Sequence, residues 1–221
     1  MICLLLMGIS AIAIADQIIY IDVAHFTPAD SQFGVDVKGN KWIKVADKDA
    51  LGGFAFGDPG DGNYGNDGGV PFLVIKFPVD VKAGEGTANG KTWIPWARMR
   101  VPATFNSFFW QVSSDKVIWK PKDNTNVNRW NDDAQNGTNK WYWQDNLTGN
   151  AGAINADIAV GVNYLRVGTR ESDPVNHSFI DVACFRNDGK KPTDAEALSS
   201  GTPVEPAGKL ATSWGKVKAN Y

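Results

Sequence analysis

Apolar and polar residues alternate in short runs along most of the chain, with a period of two residues. The run WARMRV at residues 96–101 is one example, and NSFFWQV at residues 106–112 follows it after a short break. Alternation of this kind is typical of half-buried β-strands. We predict that the two runs form strands joined by a short turn, and that residues 141–144 and 165–171 are their sheet partners.

Other runs of β-branched and aromatic residues predict further strands, at residues 16–26, 33–38, 41–45, 70–79 and 179–186. Gly39-Asn40 predicts a hairpin turn between the second and third of these runs. Apolar residues do not recur at helical spacing over any long stretch, although residues 194–198 are compatible with a short helix. This pattern predicts an all-β fold, an antiparallel β-sandwich.

The two ends of the chain differ from the rest. Residues 1–15 carry no charge and end in Ala13-Ile14-Ala15, a small-x-small sequence that is typical of signal peptidase sites. We expect a signal peptide at 1–15, and therefore a secreted or cell-surface protein without a membrane-inserted segment, because the run is too short to span a bilayer. The β-sandwich domain is expected at 16–193. Residues 194–221 are predicted to be a flexible tail, which could dock on a surface partner.

Composition limits the classes of partner. The chain has 221 residues and is 43% hydrophobic, which is enough for a full core. Its net charge is −2 with no long run of one sign, so a nucleic-acid partner is excluded by the lack of a basic patch. Cys184 is the only cysteine after the predicted leader. It lies in an apolar strand pattern, which predicts a buried free thiol.

Several short motifs occur in a recognisable order: Asp22-Val-Ala-His-Phe, Gly52-Gly-Phe, Trp96-Ala-Arg, Asn106-Ser-Phe-Phe, Trp141-Tyr-Trp, Leu165-Arg-Val-Gly-Thr-Arg-Glu and Ile180-Asp-Val. This order resembles the jelly-roll modules of the galactose-binding-domain-like superfamily. It is similar to calcium-containing carbohydrate-binding modules of families 6 and 35, which are appended to secreted glycosidases. The resemblance implies a jelly-roll sandwich and a glycan or polysaccharide as the partner.

The same resemblance implies a structural calcium ion, held by an acidic pair on the opening strand and by an aspartate on the last strand. Asp22 and Asp181 occupy two of these positions. The second acidic position is Ala24, which removes a carboxylate from a site that depends on several oxygen ligands. The sequence therefore leaves open whether calcium is bound.

A sugar site needs aromatic faces for the apolar side of a pyranose and polar groups for its hydroxyls. The polar stretch 122–144 supplies both. Trp130 is an aromatic residue in polar sequence, and the alternative is that it packs on the end of the sandwich. Asn187 matches a place where the similar modules use an asparagine. The predicted ligand-binding residues are Asn128, Arg129, Trp130, Asn131, Trp143 and Asn187.

No arrangement of residues predicts catalysis. Glycoside hydrolysis needs two carboxylates across a cleft, and no spacing singles out such a pair. His25 and His177 lie in no metal or nucleophile motif. The sequence favours a secreted, non-catalytic carbohydrate-binding module. The alternatives that stay open are a cell-surface adhesion or structural sandwich, and a polysaccharide-active glycosidase or lyase.

Overall fold

The computed structural model describes residues 18–23, 26, 33–35, 38–58, 71–79, 93–101, 107–114, 129–131, 139–145, 158, 161–170, 177–186 and 188–200. These residues form two antiparallel sheets that share one core, which confirms the predicted all-β sandwich. The predicted leader lies outside the described residues. Among those residues, no helix has the length and apolarity needed to cross a membrane.

The strands and the helix follow one another along the described chain as β1 (Ile18–Asp22), β2 (Phe33–Gly34), β3 (Ile43–Ala46), β4 (Phe54–Gly57), β5 (Phe72–Val79), β6 (Ile94–Arg100), β7 (Ser107–Ser113), β8 (Arg129–Asn131), β9 (Tyr142–Asp145), β10 (Gly161–Thr169), β11 (Phe179–Arg186) and α1 (Asp194–Ser200). The first sheet has the order β3-β4-β11-β6-β9, with β1 also paired to β11. The second sheet has the order β2-β5-β10-β7-β8.

The sheet partners of the two alternating runs were predicted correctly, but the turn between the runs was not. Strand β6 pairs with β9, where Arg98 lies opposite Trp143, and β7 pairs with β10, where Trp110 lies opposite Val167. However, β6 belongs to the first sheet and β7 to the second. The chain therefore crosses between sheets, and the predicted hairpin is wrong. Alternation identifies a strand, but it does not indicate the sheet to which the next strand belongs.

The hairpin predicted at Gly39-Asn40 is wrong for the same reason. Strand β2 pairs with β5 in the second sheet, whereas β3 pairs with β4 in the first. Gly39 does have the positive φ of 84° that glycine tolerates well, so a turn is present. This turn joins the two sheets instead of two neighbouring strands.

Aromatic rings fill much of the core between the sheets. The ring of Phe185 on β11 stacks on Phe77 with 5.9 Å between centroids, and it also meets the edge of Trp110. Trp110 in turn stacks on Trp130, with 5.5 Å between centroids. These contacts join the two sheets, because Phe185 belongs to the first sheet while Trp110 and Trp130 belong to the second.

Trp130 was predicted to present its ring to a sugar, and the structure contradicts this. The residue lies on β8 opposite Phe108, and its side chain is fully buried in the main core. The short strand β8 was not predicted, because the residues around Trp130 in the sequence are polar. Burial of an indole removes a large apolar area from water, which stabilises the fold. The side chain of Trp130 therefore packs in the core and is not available to a ligand.

Replacing Trp130 with alanine is therefore expected to destabilise the fold. The loss of free energy of unfolding should be about 3–5 kcal/mol, because the substitution removes a large core side chain and leaves a cavity. Urea unfolding followed by circular dichroism measures it. Phe54→Ala is the control, since Phe54 is 43% exposed and its loss should cost less than about 1 kcal/mol. A Trp130→Ala variant as stable as this control would contradict the burial of Trp130.

Candidate functional site

Strand β11 is buried on both of its faces. Ile180, Ala183 and Phe185 point into the main core. Val182 and Cys184 belong to a second apolar cluster, with Tyr20 and Trp143, on the outer face of the first sheet. Cys184 is thus a buried free thiol, as predicted, and burial raises its pKa above the ordinary value. The outer face of this sheet is covered over much of its area.

Asp181 lies at an irregularity of β11. The pairing of β11 with β6 shifts register between Ile180 and Val182, which is where a β-bulge redirects side chains. The Asp181 carboxylate is fully buried. Its Oδ2 accepts hydrogen bonds from Arg98 Nη1 at 2.6 Å and from the Leu51 amide at 2.8 Å.

Burial raises the pKa of Asp181 to about 7, although Arg98 and the Leu51 amide act in the opposite direction. The nearby charge of Asp22 raises it further. The other oxygen of the carboxylate, Oδ1, is buried and has no hydrogen-bond partner within the described residues. Asp181 is therefore a buried acid in which Oδ2 accepts hydrogen bonds and Oδ1 accepts none within the described residues.

The guanidinium of Arg98 connects Asp181 to helix α1. Its Nε and Nη2 donate to the two oxygens of Asp194 at 2.9 and 3.0 Å, a bidentate arrangement that fixes both groups. Trp143 Nε1 donates to the same carboxylate at 2.8 Å. Desolvation raises the pKa of Asp194, but these hydrogen bonds outweigh it, so the net pKa is lowered.

The start of α1 is a capping box, which agrees with the short helix predicted at 194–198. Thr193 Oγ1 accepts from the Glu196 amide at 3.2 Å, and Glu196 Oε2 accepts from the Thr193 amide at 2.9 Å. Glu196 also contacts Arg186 at 3.3 Å and accepts from the Tyr20 hydroxyl at 3.4 Å. The chain thus keeps contacts with the sheet beyond Thr193.

One end of this outer face is left partly open. The guanidinium of Arg100 lies between two aromatic rings, 5.4 Å from the centroid of Trp141 and 4.5 Å from that of Phe179. Arg98 also lies 5.1 Å from the Trp141 ring. His177 meets Phe179 edge to face, and Asp47 pairs with Arg100 at 3.0 Å. We call these five residues, Arg100, Trp141, Phe179, His177 and Asp47, the Arg100 site.

Three nitrogens of the Arg100 site have no hydrogen-bond partner in the part of the chain that the structure describes. They are Nε of Arg100, Nε1 of Trp141 and Nδ1 of His177. A buried polar group without a partner costs about 1–3 kcal/mol. Trp141, Phe179 and His177 are all half-buried, so part of their surface is exposed, while the three nitrogens themselves are buried. Exposed ring surface suits the apolar face of a ligand.

Two of the residues predicted to bind a ligand, Trp130 and Trp143, are buried. Trp143 is only 7% exposed and lies against Tyr20 with its indole N–H bonded to Asp194, so the prediction of a sugar contact there is contradicted. Arg129 is half-buried on β8, and Asn131 follows it on the same strand. Asn128 and Asn187 lie outside the described residues.

The two calcium ligands implied by the resemblance are Asp22 and Asp181. They lie near each other, but Asp181 is already hydrogen-bonded to Arg98. Asp22 is half-buried on β1, opposite Val182, and its charge acts on Asp181. One oxygen of Asp181 already accepts from Arg98. Among the described residues, no group of three or more histidine, cysteine, aspartate or glutamate side chains is placed to hold a metal ion. On these contacts alone, Asp22 and Asp181 do not supply the set of oxygen ligands that calcium needs, and a calcium ion here stays a prediction.

Sequence reasoning missed the Arg100 site, although its signals were present. Arg98 and Arg100 share a face of β6 because they are two residues apart, and Trp141 and Trp143 share a face in the same way. The pairing of β6 with β9 places these two faces side by side. That Phe179 belongs to the same site follows only from the register of β11, in which Phe179 lies opposite Arg100.

Stability is expected to fall as the pH is lowered from about 4 to about 2. The hydrogen bond from Arg186 lowers the pKa of Asp188 to about 2. The pKa of Glu196 is lowered as well, because its hydrogen bonds outweigh desolvation. Groups with a lowered folded-state pKa stabilise the fold above the unfolded value of about 4 and lose this contribution as they are protonated.

Urea unfolding at a series of pH values tests this expectation. Asp188→Asn should unfold with a smaller loss of stability between pH 4 and 2 than the unmodified chain, because one of the titrating groups is gone. Asp49→Asn is the matched control, since the Asp49 carboxylate is exposed and bonds only to the exposed Lys48 among the contacts described. Identical pH slopes for Asp188→Asn and the unmodified chain would contradict the role of the Arg186 pair.

Comparison with known proteins gives a limited result. No family model matches the chain, and no curated protein matches it. Among solved structures, it is similar to the exo-beta-1,3-galactanase of Phanerochaete chrysosporium with beta-1,3-galactotriose, at 14% identity over 70% of this chain and 27% of that one, with a TM-score of 0.38. The same enzyme with galactose gives 12% identity, 77% and 29% coverage and a TM-score of 0.35. The chain thus spans less than a third of those structures, and a likeness of this size carries no argument about function.

Proposed function

We propose that this protein is a non-catalytic carbohydrate-binding module whose ligand site is the Arg100 site. The observation that carries the proposal is the half-buried ring of Trp141, which lies over the guanidinium groups of Arg98 and Arg100 beside unpaired nitrogens. The order of sequence motifs, which resembles carbohydrate-binding jelly rolls, supports the same ligand class.

The chemistry of a sugar matches this surface. A pyranose has an apolar C–H face, which packs on aromatic rings, and hydroxyl groups at its edge that donate and accept hydrogen bonds. The rings of Trp141 and Phe179 are the aromatic surfaces. Beside them lie the guanidinium of Arg100, whose side chain is 23% exposed, and the imidazole of half-buried His177, which are polar groups of the kind that bind sugar hydroxyls.

The geometry also favours a ligand site that is held rigidly. Arg100 is 23% exposed in its side chain and is fixed by Asp47 and by two rings. The Phe179 ring lies so close to Gly57 that a Cβ at position 57 would come within 2.8 Å of it. Preorganised side chains lose little conformational entropy on binding. The role we propose is to hold a partner enzyme, or the cell surface, near a polysaccharide outside the cell.

A glycan-array screen followed by calorimetry tests the proposal, with Trp141→Ala as the diagnostic variant. We expect it to weaken binding at least about tenfold, or about 1.4 kcal/mol, because the main stacking surface is lost. Its melting temperature should change little, since the ring is half-buried. Phe54→Ala is the control, because Phe54 is an exposed aromatic ring outside the site. It should bind as the unmodified chain does.

Each outcome has a definite meaning. Unchanged affinity in Trp141→Ala would place the glycan elsewhere and contradict the Arg100 site. Release of shorter sugars from a bound polysaccharide would show an enzyme. If no glycan binds at all, carbohydrate binding fails, and adhesion between proteins becomes the leading function.

A further inference from the structure

We propose that the guanidinium of Arg98 is the built-in cation of a carboxylate centre on the outer face of the first sheet, in the place that a divalent metal ion would otherwise take. The proposal concerns the architecture of this chain and does not depend on carbohydrate binding. It rests on the oxygens that surround Arg98 and on the buried oxygen of Asp181 that remains unpaired.

Four oxygens from three separate segments face the guanidinium. Two belong to Asp194 of α1, one is Oδ2 of Asp181 on β11, and one is the carbonyl oxygen of Asp49, at 3.4 Å. Carboxylate and carbonyl oxygens converging from several segments are also the ligands that calcium prefers. These four oxygens therefore suit a cation, and the cation that they contact in this fold is the guanidinium of Arg98.

Two carboxylates share the one guanidinium of this centre. Asp181 and Asp194 both bond to Arg98. Oδ1 of Asp181 is buried and makes no hydrogen bond within the described residues. Arg98 therefore leaves one buried carboxylate oxygen of the centre unused.

Arg98 and a calcium ion would compete for the same oxygens. While the arginine is present, Oδ2 of Asp181 and both oxygens of Asp194 are engaged. If the side chain is shortened, these oxygens lose their cation, and Oδ1 of Asp181 on the same carboxylate has no hydrogen-bond partner among the described residues either. We therefore expect the unmodified chain to be stable without calcium and an Arg98 variant to acquire calcium dependence.

The experiment compares melting temperatures in millimolar calcium and in excess chelator for the full chain and for Arg98→Met. The unmodified chain should melt at the same temperature in both. Arg98→Met should melt at a lower temperature in chelator, and calcium should raise it by at least about 4 °C, because a ligand that binds only the folded state stabilises it. Terbium luminescence sensitised by Trp143, which contacts Asp194, should appear in the variant alone.

Arg186→Met is the matched control. Arg186 is also buried on the outer face and also pairs with two carboxylates, those of Asp188 and Glu196. Neither of these carboxylates is a fully buried acid with an unpaired oxygen, so this variant should lose stability without a calcium response. Arg98→Lys keeps a positive charge and should stay insensitive to calcium.

Two results would overturn the proposal. A calcium-dependent rise in the melting temperature of the unmodified chain would show that a metal ion binds together with Arg98. An Arg98→Met variant that calcium improves neither in melting temperature nor in folded yield, while Arg186→Met folds, would show that the oxygens do not form a cation centre. If the variant folds only when calcium is present, the proposal is supported.

Discussion

Arg98 is only 5% exposed, and the burial of its charged side chain sets conditions on the groups around it. Removing a charge from water costs several kcal/mol, and the cost is recovered only when ionic and hydrogen-bonding partners are placed well. Strand β11, the turn before β4 and helix α1 each supply such a partner. The position of each segment is therefore linked to the positions of the other two.

This linkage explains why the first sheet is covered on both faces. Its inner face packs on the second sheet through large aromatic and aliphatic side chains, as in most sandwiches. Its outer face is covered by α1, and no residue of α1 is itself buried. Polar contacts to Arg98, Trp143, Arg186 and Tyr20 hold the helix, with Ala197 as its apolar contact. Trp141 and Phe179 lie outside these contacts and are half-buried.

Much of the fold was predictable from sequence, because strand identity depends on local residue pattern. Strand β11 was predicted at its observed bounds, and residues 194–198, which were compatible with a short helix, lie in α1. The capping box at Thr193 was not predicted. The allocation of β6 and β7 to different sheets was not predictable. It depends on how the two apolar faces pack after the chain has collapsed, and alternation has the same appearance in either case.

The candidate site was harder to predict, because burial depends on neighbours that are distant in sequence. Trp130 has polar residues on both sides, yet its ring packs on Trp110. Trp143 and Trp141 are two residues apart on one face, but α1 covers the first and leaves the second half-buried. The Arg100 site itself combines residues from β6 and β11, from the segments just before β9 and β11, and from the turn between β3 and β4. Only the register of the first sheet brings these together.

Cys184 gives this covered face a natural reporter. Its thiol lies beneath Tyr20 and beside Val182, in the cluster on which Ala197 of α1 packs. A reagent that alkylates thiols can reach the sulfur only when this cover opens. The labelling rate of Cys184 therefore measures how often this cluster, with the helix that packs on it, opens locally, a motion that equilibrium unfolding of the whole sandwich would not reveal.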